Sequence, residues 1–542
     1  MFLLGVLIGI FSYIIFILGI TNLLFKPILF CVSFVYILVL FLSVKYFNKN
    51  LNISSKTLVS QLKNLILYNS KFTYIILLLL SLLALINLIG VLGPEYAFDA
   101  VWYHLTIPKI YLNNHSIFFI PGSLLYYSAM PKLTEMLFLV GLAFNDEIIA
   151  KIIHFSFGIL CIVAIYIFSR KYFSRNLSLL VGLLFYSNLV VSWESITAYI
   201  DLARTYYEFL TLWAFLFWVE KGKRKWLIVS GVMLGLSIST KLLSIGSFIF
   251  YLPLIFYISY KRSMQIRQLL INIILFITCS IFIALPWFIF AYINTGNPLY
   301  PVFSGYQIES PLRLFSLELL IRDFINIFLF ADDPITPIYI ISLPLIIVMF
   351  YRFRTSFKLL TIYTLFSLII WYFTPRSGGG RFLLPYLPAF SILIGEVIRI
   401  ADTHKVIKQT LITSIIFIAC ISIVYRGAAN SKYIPVIIGV QSKDTFLTNN
   451  LNFSFGDFYD TDSYFRNNIR STDKVLLYGF HNLYYINFPY IDSSWVKKGD
   501  RYNYVAIQNT NLPKQYTNWE KIYTNQITKV SLYTKDRKFY FY

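Results

Sequence analysis

The stretch KFTYIILLLLSLLALINLIGVLGPEYAFDAVWYHLTIPKIYL, residues 71–112, decides how the chain is read. Thr73 to Leu92 carries no charge and is long enough to cross a hydrocarbon core about 30 Å thick. Gly93-Pro94 ends the run, and Asp99 follows within a few residues, among Phe98, Trp102, Tyr103 and His104. An aromatic amphipathic segment directly after a membrane helix lies along the water–lipid interface. Asp99 then has two readings: the cap of a short helix, since Asp is favoured there, or an ionisable group held at the membrane edge for chemistry.

Working outward, the same pattern of long apolar runs recurs along the 542 residues. Only 13% are charged, 58% are hydrophobic and the mean hydropathy is +0.68. A soluble chain carries about 25% charged residues, so the composition is that of a polytopic membrane protein. The first run, Phe2 to Phe25, has neither a basic n-region nor a small-residue cleavage site and reads as a retained helix. The net charge of +21 does not point to nucleic acid, because the basic residues sit in short loops between apolar runs. Lys45, Lys49, Lys56, Lys63 and Lys71 stand together without an acid, which places that loop in the cytoplasm and Gly93 outside. Inside loops then carry Arg170/Lys171/Arg175, Lys221/Lys223/Arg224/Lys225, Lys261/Arg262/Arg267, Arg352/Arg354/Lys358 and Arg399/Lys405/Lys408.

The spans drawn on this basis are 2–25, 27–47, 73–92, 147–169, 177–193, 202–220, 226–240, 242–259, 268–291, 336–351, 358–373, 382–400 and 407–425. These thirteen helices make an all-α multi-pass bundle with the N-terminus cytoplasmic and the C-terminus extracytoplasmic. Leu133 to Phe144 is too short to cross and is expected as a partly embedded helix of the long first outer loop, 93–146. Past Arg426 the long apolar runs stop. Lys474–Phe480, Tyr502–Gln508 and Thr528–Thr534 read as strands and Asp460–Ile469 as a helix, giving a small extracytoplasmic α/β domain. The expected organisation is two extra helices and a basic loop in 1–72, a membrane core in 73–426 and the small domain in 427–542. Cys31, Cys161, Cys279 and Cys420 all fall in apolar runs, which gives no disulfide framework.

The polar residues of interest gather on the outer side. Asp201 and Glu194 stand at neighbouring helix ends, where they are candidates for an acceptor group or a divalent cation such as Mg²⁺ or Mn²⁺, which takes oxygen ligands. Capping is again the alternative for Asp201. Lys241, Arg376 and Arg381 lie at outer boundaries, where basic residues are disfavoured. They are either snorkelling to lipid headgroups or an anion site, since arginine suits phosphate oxygens and the SGGG turn lets backbone amides approach them.

Five pieces, FDAVWYHLTIPKIYL (98–112), AYIDLARTYYEF (198–209), GLSISTK (235–241), PWFIFAYINTGNPLYP (286–301) and RFLLPYLP (381–388), resemble in order the GT-C superfamily of membrane glycosyltransferases. The branch they are similar to includes the protein O-mannosyltransferases and the lipid A aminoarabinose transferase. The resemblance covers residues from about 73 to 400. It implies a polyprenyl-phosphate-linked sugar as donor and an extracytoplasmic site in a bacterial cytoplasmic membrane. The acceptor would be an unspecified glycan, lipid or protein. It also implies Asp99 as the catalytic acid residue, with Asp201 matching a second acid that some members use and Tyr103 and His104 beside the site. The family's paired acids are here Asp99-Ala100, so the implied cofactor is either none or a divalent cation. A lipid-linked solute transporter or flippase and a polysaccharide polymerase or ligase are the alternative functions.

The orientation has a direct test. In a background lacking the four native cysteines, an impermeant thiol reagent applied to intact cells should label a cysteine introduced at position 440 and spare one at position 60. Equal labelling would overturn the orientation.

Overall fold

A computed structural model of the chain describes residues 1–50, 70–144, 146–304, 316–330, 334–374, 379–452 and 456–542. Arg376 and the loop bearing Lys56 and Lys63 lie outside these. Among the described residues, seven helices are long and apolar enough to cross a membrane: Phe2–Ile20, Lys71–Leu92, Glu147–Ser169, Leu242–Lys261, Ile266–Thr295, Thr355–Phe373 and Lys405–Ser431. Shorter apolar helices complete the bundle.

The expected thirteen spans are therefore not all single crossing helices. The span drawn at 177–193 is two helices, Arg175–Tyr186 and Leu189–Glu194. Asn188 breaks it: its amide donates to the carbonyls of Leu184 and Phe185, and its Oδ1 accepts from the Thr336 amide. A side chain that competes for backbone groups in this way ends a helix. The 226–259 region is two helices, as drawn, parted by extended backbone at Lys241 and a tight turn over Leu242–Ser247. The 382–400 span shortens to Leu387–Ile400, preceded by two single turns around Arg381 and Pro385. Asp201–Lys221 is apolar enough to be buried but carries Asp201, Arg204, Glu208 and Glu220. An amphipathic helix, Leu317–Leu329, was not expected from the sequence.

The helices Asp201–Lys221, Arg224–Thr240 and Ile266–Thr295 pack side by side. Gly231 and Gly235 make the last contact possible. A β-carbon at Gly231 would come within 2.8 Å of Cys279, and one at Gly235 within 2.5 Å of the Ser280 carbonyl oxygen. Small residues four apart let two membrane helices approach closely, and this approach fixes the helix end that presents Lys241.

Leu133–Phe144, expected as a partly embedded helix of the outer loop, is a helix packed within the protein. It is buried along nearly its whole length, against the helices Phe2–Ile20, Thr106–Asn113 and Glu147–Ser169. The chain after residue 430 folds into a five-stranded sheet of order β2-β1-β4-β6-β5 and an antiparallel pair of β3 (Arg501–Tyr502) and β7 (Tyr540–Phe541). Strands β1 (Val475–Tyr478), β2 (Tyr490–Asp492) and β4 (Tyr504–Ile507) are parallel, while β6 (Ser531–Thr534) and β5 (Glu520–Thr524) run antiparallel. Three of the five were legible; the short β2 and the exposed β5 were not. The small sheet and the 93–146 loop share one apolar core. Lys109 reinforces the junction by donating to the carbonyls of Tyr484 and Ile486 at 2.6 and 2.8 Å.

One buried acid holds the start of the 93–146 loop. Glu95 Oε1 accepts from the amides of Tyr96 and Ala97 at 2.9 and 2.8 Å, and Oε2 from the amide of Ala198 at 2.6 Å. Lys151 holds the turn just before, donating to the carbonyls of Gly90 and Gly93 at 2.8 and 2.7 Å. Burial pushes the Glu95 carboxyl's pKa up, against Lys151 and the three amides, which favour its charge. Removing one partner from such a buried network costs on the order of 3 kcal/mol. Glu95→Ala should therefore lower the melting temperature in detergent markedly and Glu95→Gln less. Equal melting of all three proteins would show that the clamp is not structural.

Candidate active site

The two acids singled out from sequence are both released from capping, because other residues do that work. At the start of the Asp201 helix, the Leu202 amide donates to His154 Nε2 at 3.1 Å, and His154 Nδ1 meets the Thr197 carbonyl at 2.9 Å. Those partners fix His154 as the neutral ring protonated on Nδ1. The Asp201 side chain caps nothing and instead takes Lys241 Nζ on Oδ1 at 2.7 Å. In the first loop Glu95 holds the amides of the turn. Asp99, at the head of the short π-helix Ala100–His104, makes no capping bond with its side chain. Its Oδ2 receives Arg381 Nη1 at 2.6 Å, and its own amide donates to the Tyr199 hydroxyl at 3.1 Å.

These two pairs share a wall. The Arg381 guanidinium lies 5.1 Å and Lys241 Nζ 5.2 Å from the centre of the Phe382 ring, and Arg381 lies 5.2 Å from that of Tyr199. Burial alone would weaken the charge of Arg381, but Asp99, Tyr199 and Asp201 outweigh it and push its pKa up. Four charges of alternating type, Asp99, Arg381, Asp201 and Lys241, thus meet at the end of the bundle that carries the 93–146 loop. The side chains of Arg381 and Asp99 are only 14% and 10% exposed, too enclosed for free-standing charges.

Tyr103 borders this group. Burial and the Asp99 charge push its hydroxyl's pKa up, and its ring stacks on Tyr127 at 3.9 Å. His104 lies behind it: Nδ1 meets Glu135 Oε1 at 3.0 Å, and Lys132 approaches the same oxygen at 3.9 Å. Its place is in the support of the loop, where the sequence reading had it beside the site. Glu194 is buried beside the same histidine that caps the Asp201 helix. It faces His154, at 4.0 Å from Nε2. Among the described residues no group of three or more His, Cys, Asp or Glu side chains is arranged to hold a metal. Of the pair suggested for a divalent cation, Asp201 holds the Lys241 ammonium group on Oδ1 and Glu194 faces His154.

Several residues of the region were missed. Lys151 and His154, one turn apart in EIIAKIIHFSF, gave a signal, because ionisable groups inside an apolar run are functional or structural by default. His481, from the small domain, gave none. Its ring stacks 4.6 Å from Phe98 and lies 4.3 Å from Trp102. Burial pushes its pKa down to about 4, although the Asp99 charge acts the other way.

The model of the dolichyl-phosphate-mannose-protein mannosyltransferase family matches residues 135–290. The structure overlays on that of ArnT from Cupriavidus metallidurans bound to undecaprenyl phosphate, with a TM-score of 0.58 and 13% identity over 85% of this chain and 97% of that one. The apo form of the same protein gives 0.59 and 14%, over 86% and 99%. The chain has the GT-C fold. AglB from Archaeoglobus fulgidus, in complex with an inhibitory peptide and a dolichol-phosphate, overlaps more loosely, with a TM-score of 0.40 and 13% identity over 79% and 69%. No curated protein sequence matches the chain.

The contact between His481 and the loop should respond to pH. A histidine whose pKa is lowered on folding contributes stability fully above its ordinary value of 6.5, and that stability is lost as pH falls toward 4. Relative to wild type, His481→Phe should lose less thermal stability between pH 7 and pH 4.5. Parallel curves would show that the ring does not titrate with folding.

Proposed function

We propose that the chain is a membrane glycosyltransferase that moves a sugar from a polyprenyl-phosphate donor to an acceptor hydroxyl on the extracytoplasmic side. The observation that carries this reading is one cluster at the end of a GT-C bundle. In it a carboxylate, Asp99, stands beside two cations, Arg381 and Lys241, at the junction with a second domain. The ArnT structure with this fold is bound to undecaprenyl phosphate, which supports a lipid phosphate as the group the cations meet.

In this mechanism Asp99 Oδ takes the acceptor's proton as its oxygen attacks the anomeric carbon. The bond from that carbon to the phosphate oxygen breaks through an oxocarbenium-like state. The departing lipid phosphate gathers charge, which Arg381 and Lys241 stabilise. A guanidinium carries five N–H donors in a fork, so Arg381 can serve both the base and a phosphate oxygen. Asp201 positions Lys241 through their ion pair. A single displacement inverts the anomeric configuration. The lipid chain lies against the apolar helices of the bundle, the N-terminus is cytoplasmic and the small domain is outside.

Asp99→Asn keeps an oxygen for Arg381 but removes the base. It should reduce sugar transfer in proteoliposomes by about 10² to 10⁴-fold with melting near wild type. Arg381→Lys should raise the KM for the lipid-phosphate donor, because a point charge replaces a two-pronged donor. A fully active Asp99→Asn protein would remove Asp99 from the reaction.

A further inference from the structure

The helix Asp201–Lys221 carries three polar side chains, Asp201, Arg204 and Glu208, on successive turns of one face. Each meets one residue of the turn that follows the Arg224–Thr240 helix. Asp201 Oδ1 takes Lys241 Nζ at 2.7 Å, Arg204 Nε donates to Ser244 Oγ at 2.9 Å, and Glu208 Oε1 accepts from Ser247 Oγ at 2.9 Å. The turn from Lys241 to Ser247 is thus held at its first, middle and last residue. Its own backbone bonds keep its shape: the Lys241 amide donates to the Ser237 carbonyl and the Ser244 amide to the Lys241 carbonyl.

Arg204 alone of the three also reaches a second piece of chain. Its Nη2 donates to the Tyr386 hydroxyl at 3.4 Å, and its guanidinium lies 6.0 Å from the centre of that ring. Tyr386 closes the second of the two single turns, Gly380–Phe382 and Leu384–Tyr386, of which the first contains Arg381. The Leu383 amide donates to the Gly380 carbonyl and the Tyr386 amide to the Leu383 carbonyl, so Arg381 and Tyr386 belong to one hydrogen-bonded unit. One guanidinium therefore bonds to both segments that bring a cation to the Phe382 ring.

The hydroxyl of Ser244 does not require this charge, since it already pairs with Ser237 Oγ at 2.8 Å. Arg204 is 2% exposed, and a charge buried that deeply in a membrane bundle is expensive. The best-attested role of a buried ionic group is to set the register of the elements it joins. A guanidinium suits that role, because its donors lie in one rigid plane and fix the directions of its partners.

We infer that Arg204 is a positioning residue: it ties the Lys241 turn and the Arg381 turn to one helix and so sets the separation of the two cations for a single phosphate group. The inference rests on the glycosyltransferase reading, in which those cations meet the donor phosphate, and adds the residue that spaces them. The bonds of Nε and Nη2 go to the two turns, and Arg204 acts on the phosphate through them.

The test measures binding of undecaprenyl phosphate and of undecaprenol to the purified full-length protein in detergent. The ratio of the two affinities isolates what the phosphate contributes. Arg204→Lys keeps the charge but replaces the rigid fork by a point donor on a flexible stem. It should lower the ratio about tenfold, the loss that goes with one misplaced hydrogen bond to a charged group. Tyr386→Phe and Ser244→Ala each remove one arm and should lower it about threefold, since the other arm remains. They carry the test should Arg204→Lys fail to fold. A merely structural role predicts that both lipids bind more weakly and the ratio stays as it is. A merely electrostatic role predicts that Arg204→Lys behaves as wild type. Either result would overturn the inference and leave the transferase reading standing. A wild-type protein that binds the phosphate no better than the alcohol would instead sink the lipid-phosphate reading, and the inference with it.

Discussion

A charge can persist in a water-poor junction only beside its opposite, and the pair Asp99–Arg381 is the point where this protein meets that constraint. Its 2.6 Å contact joins the 93–146 loop to the turn before the Leu387–Ile400 helix, two pieces of chain almost 300 residues apart. Each group alone would be expensive to bury. Together they define where the loop sits on the bundle, and the second pair, Asp201–Lys241, repeats the arrangement one wall away.

That arrangement depends on a division of labour among acids and rings. A short helix start needs its amides satisfied, and the cheapest local answer is the nearest Asp. Here the answer comes from further away: Glu95 serves Tyr96, Ala97 and Ala198, and His154 serves Leu202. The two aspartates are thereby left to meet cations. Lys151 closes the same unit by holding Gly90 and Gly93, so the loop leaves its membrane helix in one direction.

Much of this was legible in the sequence and some of it was not, for physical reasons. Long apolar runs gave the membrane class, because hydropathy over 20 residues is a strong signal. They did not give the number of crossings, because Asn188 ends a helix with a side-chain bond that no average records. Asp99, Asp201, Lys241 and Arg381 stood out by type and position, and the structure gathers them. Arg376 lies outside the described residues. Whether an aspartate caps its helix or faces a distant arginine is a tertiary question, and local sequence could offer only both. His481 lay in a polar domain where one histidine is unremarkable in composition. Its meaning comes only from the fold, which carries it to Phe98 and Trp102.

In the proposed reaction the four charges also explain why Arg381 should touch the base at all. Two carboxylates and two cations sum to zero, so these four charges balance among themselves. A sugar phosphodiester brings one negative charge. As transfer proceeds, the lipid phosphate becomes a monoester and gains a second, while Asp99 takes a proton and loses its own. The total is unchanged and the charge has only moved, from the carboxylate to the departing phosphate. A guanidinium placed between the two need not be recruited from solvent or pay for desolvation at the transition state, since it is already buried and already charged. As Asp99 is neutralised its hold on Arg381 weakens, and the same N–H groups become available to the phosphate at the moment they are needed. On this argument Lys241 cannot take the place of Arg381: it is tied to Asp201, whose charge does not change during the reaction.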